Sequence, residues 1–196
     1  TTFLCSKLYT KEIYQPSINS FGHVGLIQNP SAETLGEANI AFTINANDMH
    51  KFGTLTVTPF NWLEASYFYY RPKELWFDGT PQSAGLYLDK GFNVKLILNQ
   101  DSNLPNIAIG LNDFSGTGYF SSEYVVATQK FEFGKLTGGI GWGEMAGIDS
   151  FSNPLGKLSE TFLSRSSDFD KYGGDVRTER FFKGDSSFFY GAEFFI

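Results

Sequence analysis

Composition excludes internal disulfides, because the chain of 196 residues carries a single cysteine, Cys5. No second thiol exists for a metal cluster, and Leu4 stands where a bacterial lipoprotein signal wants a small residue, which argues against lipidation at Cys5. Histidine is nearly as scarce. His23 and His50 are far apart and join no Ser/Asp or Cys arrangement, so no nucleophilic triad is assigned. Charged residues reach only 18%, below the roughly 25% of ordinary soluble domains. The Lys and Arg residues are scattered and the net charge is -6, with a pI near 4.9, so nucleic acid is not an expected partner. Long apolar runs are also missing, and no stretch approaches the ~20 residues of a membrane helix. The start shows neither an initiator Met nor a signal-peptide succession, the mark of a mature chain or a fragment. No phosphate-loop or metal-ligand cluster is present: Asp113 to Gly118 has glycines and hydroxyls but lacks the Lys of a nucleotide loop. No cofactor and no metal are expected.

What is abundant is aromatic, 17% with Phe 21 and Tyr 10, and it falls into a strand's period of two. Ile107, Ile109 and Leu111 oppose Ala108, Gly110 and Asn112; Leu136, Gly138, Ile140 and Trp142 oppose Thr137, Gly139, Gly141 and Gly143. The same alternation runs through residues 37–47, 52–59, 63–71, 92–99, 123–131 and 187–196. In the segment 123–131 the inward face stays ambiguous between the Tyr124, Val126, Thr128 set and the Val125, Ala127, Gln129 set. Gly134 and Lys135 are expected to form a tight hairpin turn. Mean hydropathy is -0.19, as expected when polar and apolar residues alternate one for one.

Connections run long and short in turn, with the short ones at 59–63, 100–105 and 132–135. Together these features predict an all-β fold, an antiparallel up-and-down outer-membrane β-barrel with about eight strands present, possibly part of a larger barrel. Residues 1–36 read as a periplasmic lead-in and 37–196 as transmembrane strands, with a long outer loop at about 145–185. Ile107, Ile109, Leu111, Leu136, Ile140 and Trp142 are expected to face lipid. A soluble β-sandwich shows the same period and stays open as an alternative.

Candidate chemistry is sparse. Asp113 and Glu123 flank one loop and could form a glycosidase pair only at a suitable separation; the simpler expectation puts both at the outer rim with Phe114 and Tyr124, binding loop backbone or water. Aromatic residues such as Tyr67, Tyr69, Trp76, Phe77, Tyr119 and Phe120 could stack on sugars or form membrane-interface girdles. Asn93, Lys95, Asn99, Asn112 and Gln129 are the lumen-facing candidates for glycan contacts.

From Pro16 onward the chain resembles the YjbH-like family of bacterial outer-membrane proteins encoded with exopolysaccharide and capsule machinery. GLIQNPSAETLGEANIAF, FNVKLIL, PNIAIGLNDFSGTGYFSSEYVVATQKF and LTGGIGWG carry the resemblance. The family looks like GLINTPSA at the first and GLxDFxGTGxFxSEYxVAS at the third. That third motif spans Gly110, Asp113, Phe114, Gly116, Thr117, Phe120, Ser122, Glu123, Tyr124, Val126 and Ala127. The resemblance implies a non-enzymatic outer-membrane barrel in exopolysaccharide or capsule export or assembly, with outer-membrane lipid and polysaccharide or polysaccharide-export proteins as partners. Family members are several times longer, so a fragment is expected; eight strands alone would close a barrel too narrow for a polymer. The second expectation is a secreted, soluble β-sandwich that binds carbohydrate.

Overall fold

The computed structural model describes residues 16–73, 87–100, 104–147, 149–167 and 174–195. A short hairpin, β1 (Gly25–Leu26) and β2 (Asn29–Pro30), precedes eight strands. These are β3 (Asn39–Ala46), β4 (His50–Phe60), β5 (Leu63–Pro72), β6 (Asp89–Asn99), β7 (Asn106–Asn112), β8 (Ser122–Phe131), β9 (Gly134–Gly143) and β10 (Ser186–Phe194). Every strand pairs antiparallel with its sequence neighbour, from β3 to β10. Gly134 and Lys135 belong to β9, and Glu132 and Phe133 form the turn instead.

β3 and β10 pair with one neighbour each and not with each other. The sheet is therefore open, and the closed barrel expected from the alternation is corrected, together with the outer-membrane-barrel function built on it. The physical reason lies in the segment before β3. Residues 16–36 lie on the side where a closed ring would have its interior, and they touch both edges. Asn29 donates from Nδ2 to the Tyr190 carbonyl of β10, while Asn45 of β3 donates to the Ser20 carbonyl. Ser17 donates to Glu193 on β10, and Leu26 packs over Gly191. Among the described residues no helix is long and apolar enough to cross a membrane.

Alternation then sorts the side chains. Toward the N-terminal segment point Thr54, Thr56, Thr58, Glu64, Ser66, Asn93, Lys95, Tyr124, Val126, Thr128 and Thr137, all buried. The opposite, outer face carries exposed Ile40, Phe42, Ile44, Leu55, Phe92, Leu136, Phe188 and Tyr190. Of the residues expected to face lipid, Ile107 and Leu136 are exposed on this face of the open sheet, whereas Trp142 is only 3% exposed. The long connection after β9 folds back across this face and sets Phe182 edge-on against Trp142, with ring centroids 5.2 Å apart. Trp142 thus faces its own chain. Ser187, Phe189, Gly191 and Glu193 form the inner row of β10, Phe189 packing edge-on to Tyr124.

Candidate functional site

The inner face is built to hold backbone. On β4, Thr54, Thr56 and Thr58 stand two residues apart, so all three turn inward and donate their hydroxyls to the carbonyls of Phe21, Gly22 and Gly36. Thr128 on β8 accepts from the Ala32 amide at 2.9 Å. Between them, Glu64 on β5 and Lys95 on β6 are register partners and grip Val24: the carboxylate accepts from its amide at 3.3 Å and the ammonium donates to its carbonyl at 3.0 Å. Lys95 Nζ also lies 3.1 Å from Glu64 Oε1, and His23 Nδ1 lies 3.6 Å from the same oxygen. Burial pushes the Glu64 carboxyl up, but Lys95 and His23 outweigh it and hold it below its ordinary value. Lys135 completes the docking with ion pairs to Glu33 and Glu193.

Beside this docked segment, the loop after β7 forms a second buried polar group. Asp113 adopts φ 48, a left-handed conformation that Asp tolerates, and its amide donates to Asn93 Oδ1 at 2.8 Å. Its carboxyl sits between Gly91 and Gly116, where a Cβ at either glycine would strike it. Thr117 donates to Asp89 Oδ1 at 2.9 Å and accepts from the Tyr87 hydroxyl at 3.0 Å. Neither Asp113 oxygen meets a donor at hydrogen-bonding geometry. Burial, and then the Asp89 charge, push Asp113 up to about 8; the amides of Phe120 and Gly118 and the charge of Arg180 offset part of this. Asp89 is raised as well, chiefly by burial.

Docked segment and loop together bound a cleft of about 460 Å³. Phe52, Phe68, Tyr70 and Phe120 supply aromatic walls, and Asn93, Asn112, Asp113, Ser122 and Glu144 supply polar groups. Phe52 stacks on Phe68 at 5.6 Å, and Phe120 meets Tyr70 edge-on at 4.8 Å. Asn112 donates from Nδ2 to Ser122 Oγ at 3.1 Å, and its Oδ1 has no partner.

The residues singled out from the sequence divide sharply. Asn93, Asn112 and Asp113 meet at the cleft. Lys95 faces the same side but is committed to Glu64 and Val24. Asn99 closes the β6–β7 turn by donating to the Pro105 carbonyl. Gln129 pairs in register with Leu136 and shares its outer face, donating to the Lys130 carbonyl. Tyr124 points inward over Gly110. Phe114 is partly buried, its amide donating to the Phe92 carbonyl. Glu123 is on the outer face, opposite Asp113, where both Arg165 guanidinium ends and the Phe182 amide bind its carboxylate. The two acids do not converge. Trp76 and Phe77 lie outside the described residues, as does Cys5. Sequence reasoning missed the gripping pair Glu64 and Lys95. A buried Glu opposite a buried Lys on adjacent strands leaves no trace until register is known.

The fold and site define a class: an open antiparallel sheet whose polar face is occupied by its own preceding segment, leaving an aromatic-walled cleft suited to a polar ligand. Within that class the chain belongs to the YjbH family, described as "Exopolysaccharide biosynthesis protein YbjH", which matches residues 17–196. The chain is 32% identical over 182 residues to the "Uncharacterized lipoprotein YjbH" of Escherichia coli (strain K12), covering 91% of this chain and 26% of that protein. It therefore spans about a quarter of the relative's length. No solved structure matches.

The family motif now has physical content. Gly110 leaves room for the Tyr124 ring, Gly116 for the Asp113 carboxyl, and Gly118 takes φ 72 while its carbonyl accepts from Ser121 and Arg180. Thr117, Ser122 and Glu123 each anchor a different partner.

Proposed function

We propose that this chain is a non-enzymatic carbohydrate-binding part of a membrane-associated protein, working in assembly or secretion of an exopolysaccharide at the Gram-negative outer membrane. The cleft carries the reading, because it joins aromatic walls at Phe52, Phe68, Tyr70 and Phe120 to amide, hydroxyl and carboxyl groups. Sugars present alternating C–H faces and hydroxyl edges, which such a surface complements. The family description supplies the polymer class, and the lipoprotein named among the relatives supports the envelope location. Exposed apolar residues on the outer face are consistent with a lipid or envelope-protein neighbour. Polysaccharide, or the proteins that export it, are the partners.

Titration of the purified chain with oligosaccharides of the host polymer, followed by calorimetry, tests this. Binding that falls at least tenfold in Phe120→Ala supports the reading. Unchanged binding in that variant, or none in the parent, sinks it. Cell fractionation tests the location separately: recovery of the full-length protein outside the outer-membrane fraction would overturn that part.

A further inference from the structure

The charge pattern of the cleft limits which sugars fit. Its described lining residues include the exposed carboxylate Glu144 and no Lys or Arg, while the buried Asp113, pushed up to about 8, is largely the neutral acid at pH 7.5. The nearby buried cation Lys95 points away into its contacts with Glu64 and Val24. Arg180 bonds the Gly118 carbonyl and is not among the lining residues. The lining histidines are His23, beside Glu64, and His50, between Phe21 and Tyr70.

The buried polar atoms of the cleft left without partners are carbonyl and carboxyl oxygens. Asn112 Oδ1 is buried and unpaired while its Nδ2 is already used by Ser122, and Asn93 Oδ1 already accepts from the Asp113 amide. A ligand seated here has to bring donors, and sugar hydroxyls, amide N–H groups or an ammonium all qualify. A uronate, phosphate or sulfate group would instead lose its hydration without meeting a Lys or Arg among the described lining residues, a costly exchange.

Resting on the carbohydrate reading above, we infer that the cleft takes neutral or amine-bearing glycan segments and rejects anionic ones. The experiment is a calorimetric panel at pH 7.5 using neutral hexose tetrasaccharides of several linkages, de-N-acetylated chitotetraose and tetragalacturonate, against the parent chain and Glu144→Lys. Glu144 is exposed, so this substitution leaves the fold intact. The expected result is tetragalacturonate at least tenfold weaker than the best neutral or amino sugar, and at least threefold tighter in Glu144→Lys than in the parent. Tetragalacturonate binding the parent as well as the neutral sugars overturns the charge inference and leaves the carbohydrate reading standing. An unchanged tetragalacturonate affinity in Glu144→Lys also overturns it. Binding of none of the panel overturns both.

Discussion

Lys95 Nζ lies 3.1 Å from Glu64 Oε1, and each side chain is 1% exposed, sealed beneath Val24. The pair ties two neighbouring strands to the segment that covers them. Removing one partner strands the other charge in a dry site. Lys95→Met is expected to destabilise the chain by about 3–5 kcal/mol, whereas Lys95→Met with Glu64→Leu recovers most of that loss. Equilibrium denaturation of the single and double variants checks this; equal losses would show that the charge pairing is not what matters.

Asp113 sets a second dependence, on pH. Its folded value lies near 8 against an ordinary 3.8, so the neutral acid is the form that folding favours. For a carboxyl raised in this way, stability is fully present below the unfolded value and is lost as pH rises from about 4 through about 8. Asp113→Asn is expected to be more stable than the parent at pH 9 by on the order of 1–3 kcal/mol, with the advantage vanishing at pH 4. Asp89, raised in the same direction, leaves a residual slope in the variant. Unfolding midpoints across pH 4 to 9 decide it.

Gly110 faces the Tyr124 ring, and a Cβ added there would strike it. Tyr124 is 1% exposed and has nowhere to move. Gly110→Ala is expected to cost about 1–3 kcal/mol, a loss that shrinks when Tyr124 is first replaced by Leu. Additive losses in the double-mutant cycle would refute the steric account.

Ile27 sits in the β1–β2 turn with φ 41 and is 84% exposed. A β-branched residue is strained in that region, and here its side chain gains little from packing. Ile27→Gly is therefore expected to raise stability by about 1 kcal/mol, even though glycine loosens the unfolded chain. Thermal unfolding would show a higher midpoint.

On the outer face, Arg165 holds Glu123 through two ends of its guanidinium and also donates to the Arg180 carbonyl. Arg165→Met leaves a buried carboxylate with, among the described residues, only the Phe182 amide still bonded to it. The connection should loosen, raising its cleavage rate in limited proteolysis and exposing Trp142 to acrylamide quenching when Trp62 and Trp76 are replaced by Phe. Quenching equal to that of the parent would mean that Phe182 is held independently.

The strands were legible because alternation is a local property. Ile107, Ile109 and Leu111 against Ala108, Gly110 and Asn112 assign two faces of β7 without reference to any other residue, and the structure keeps that assignment. On β8 neither set was clearly more polar, and only pairing with β7 and β9 turned Tyr124 inward and Gln129 outward. Trp142 looked lipid-facing because its alternation was right; that Phe182, forty residues on, would cover it depends on a chain reversal no local pattern records.

The amino-acid sequence by itself determined the eight strands, most of their faces and the glycine-rich loop whose motif names the family, since period, turn chemistry and residue size act over a few positions. Tertiary structure alone decided that β3 and β10 stay apart, because that depends on where residues 16–36 dock. It also decided that Asp113 and Glu123 fall on opposite faces: alternation alone would put Asp113 on the face shared by Leu111 and Glu123, but the left-handed turn at Asp113, just past β7, swings its carboxyl between Gly91 and Gly116. The cleft exists only where those long-range choices meet: Asn112 and Asp113 brought beside Phe120, Tyr70 and the docked segment.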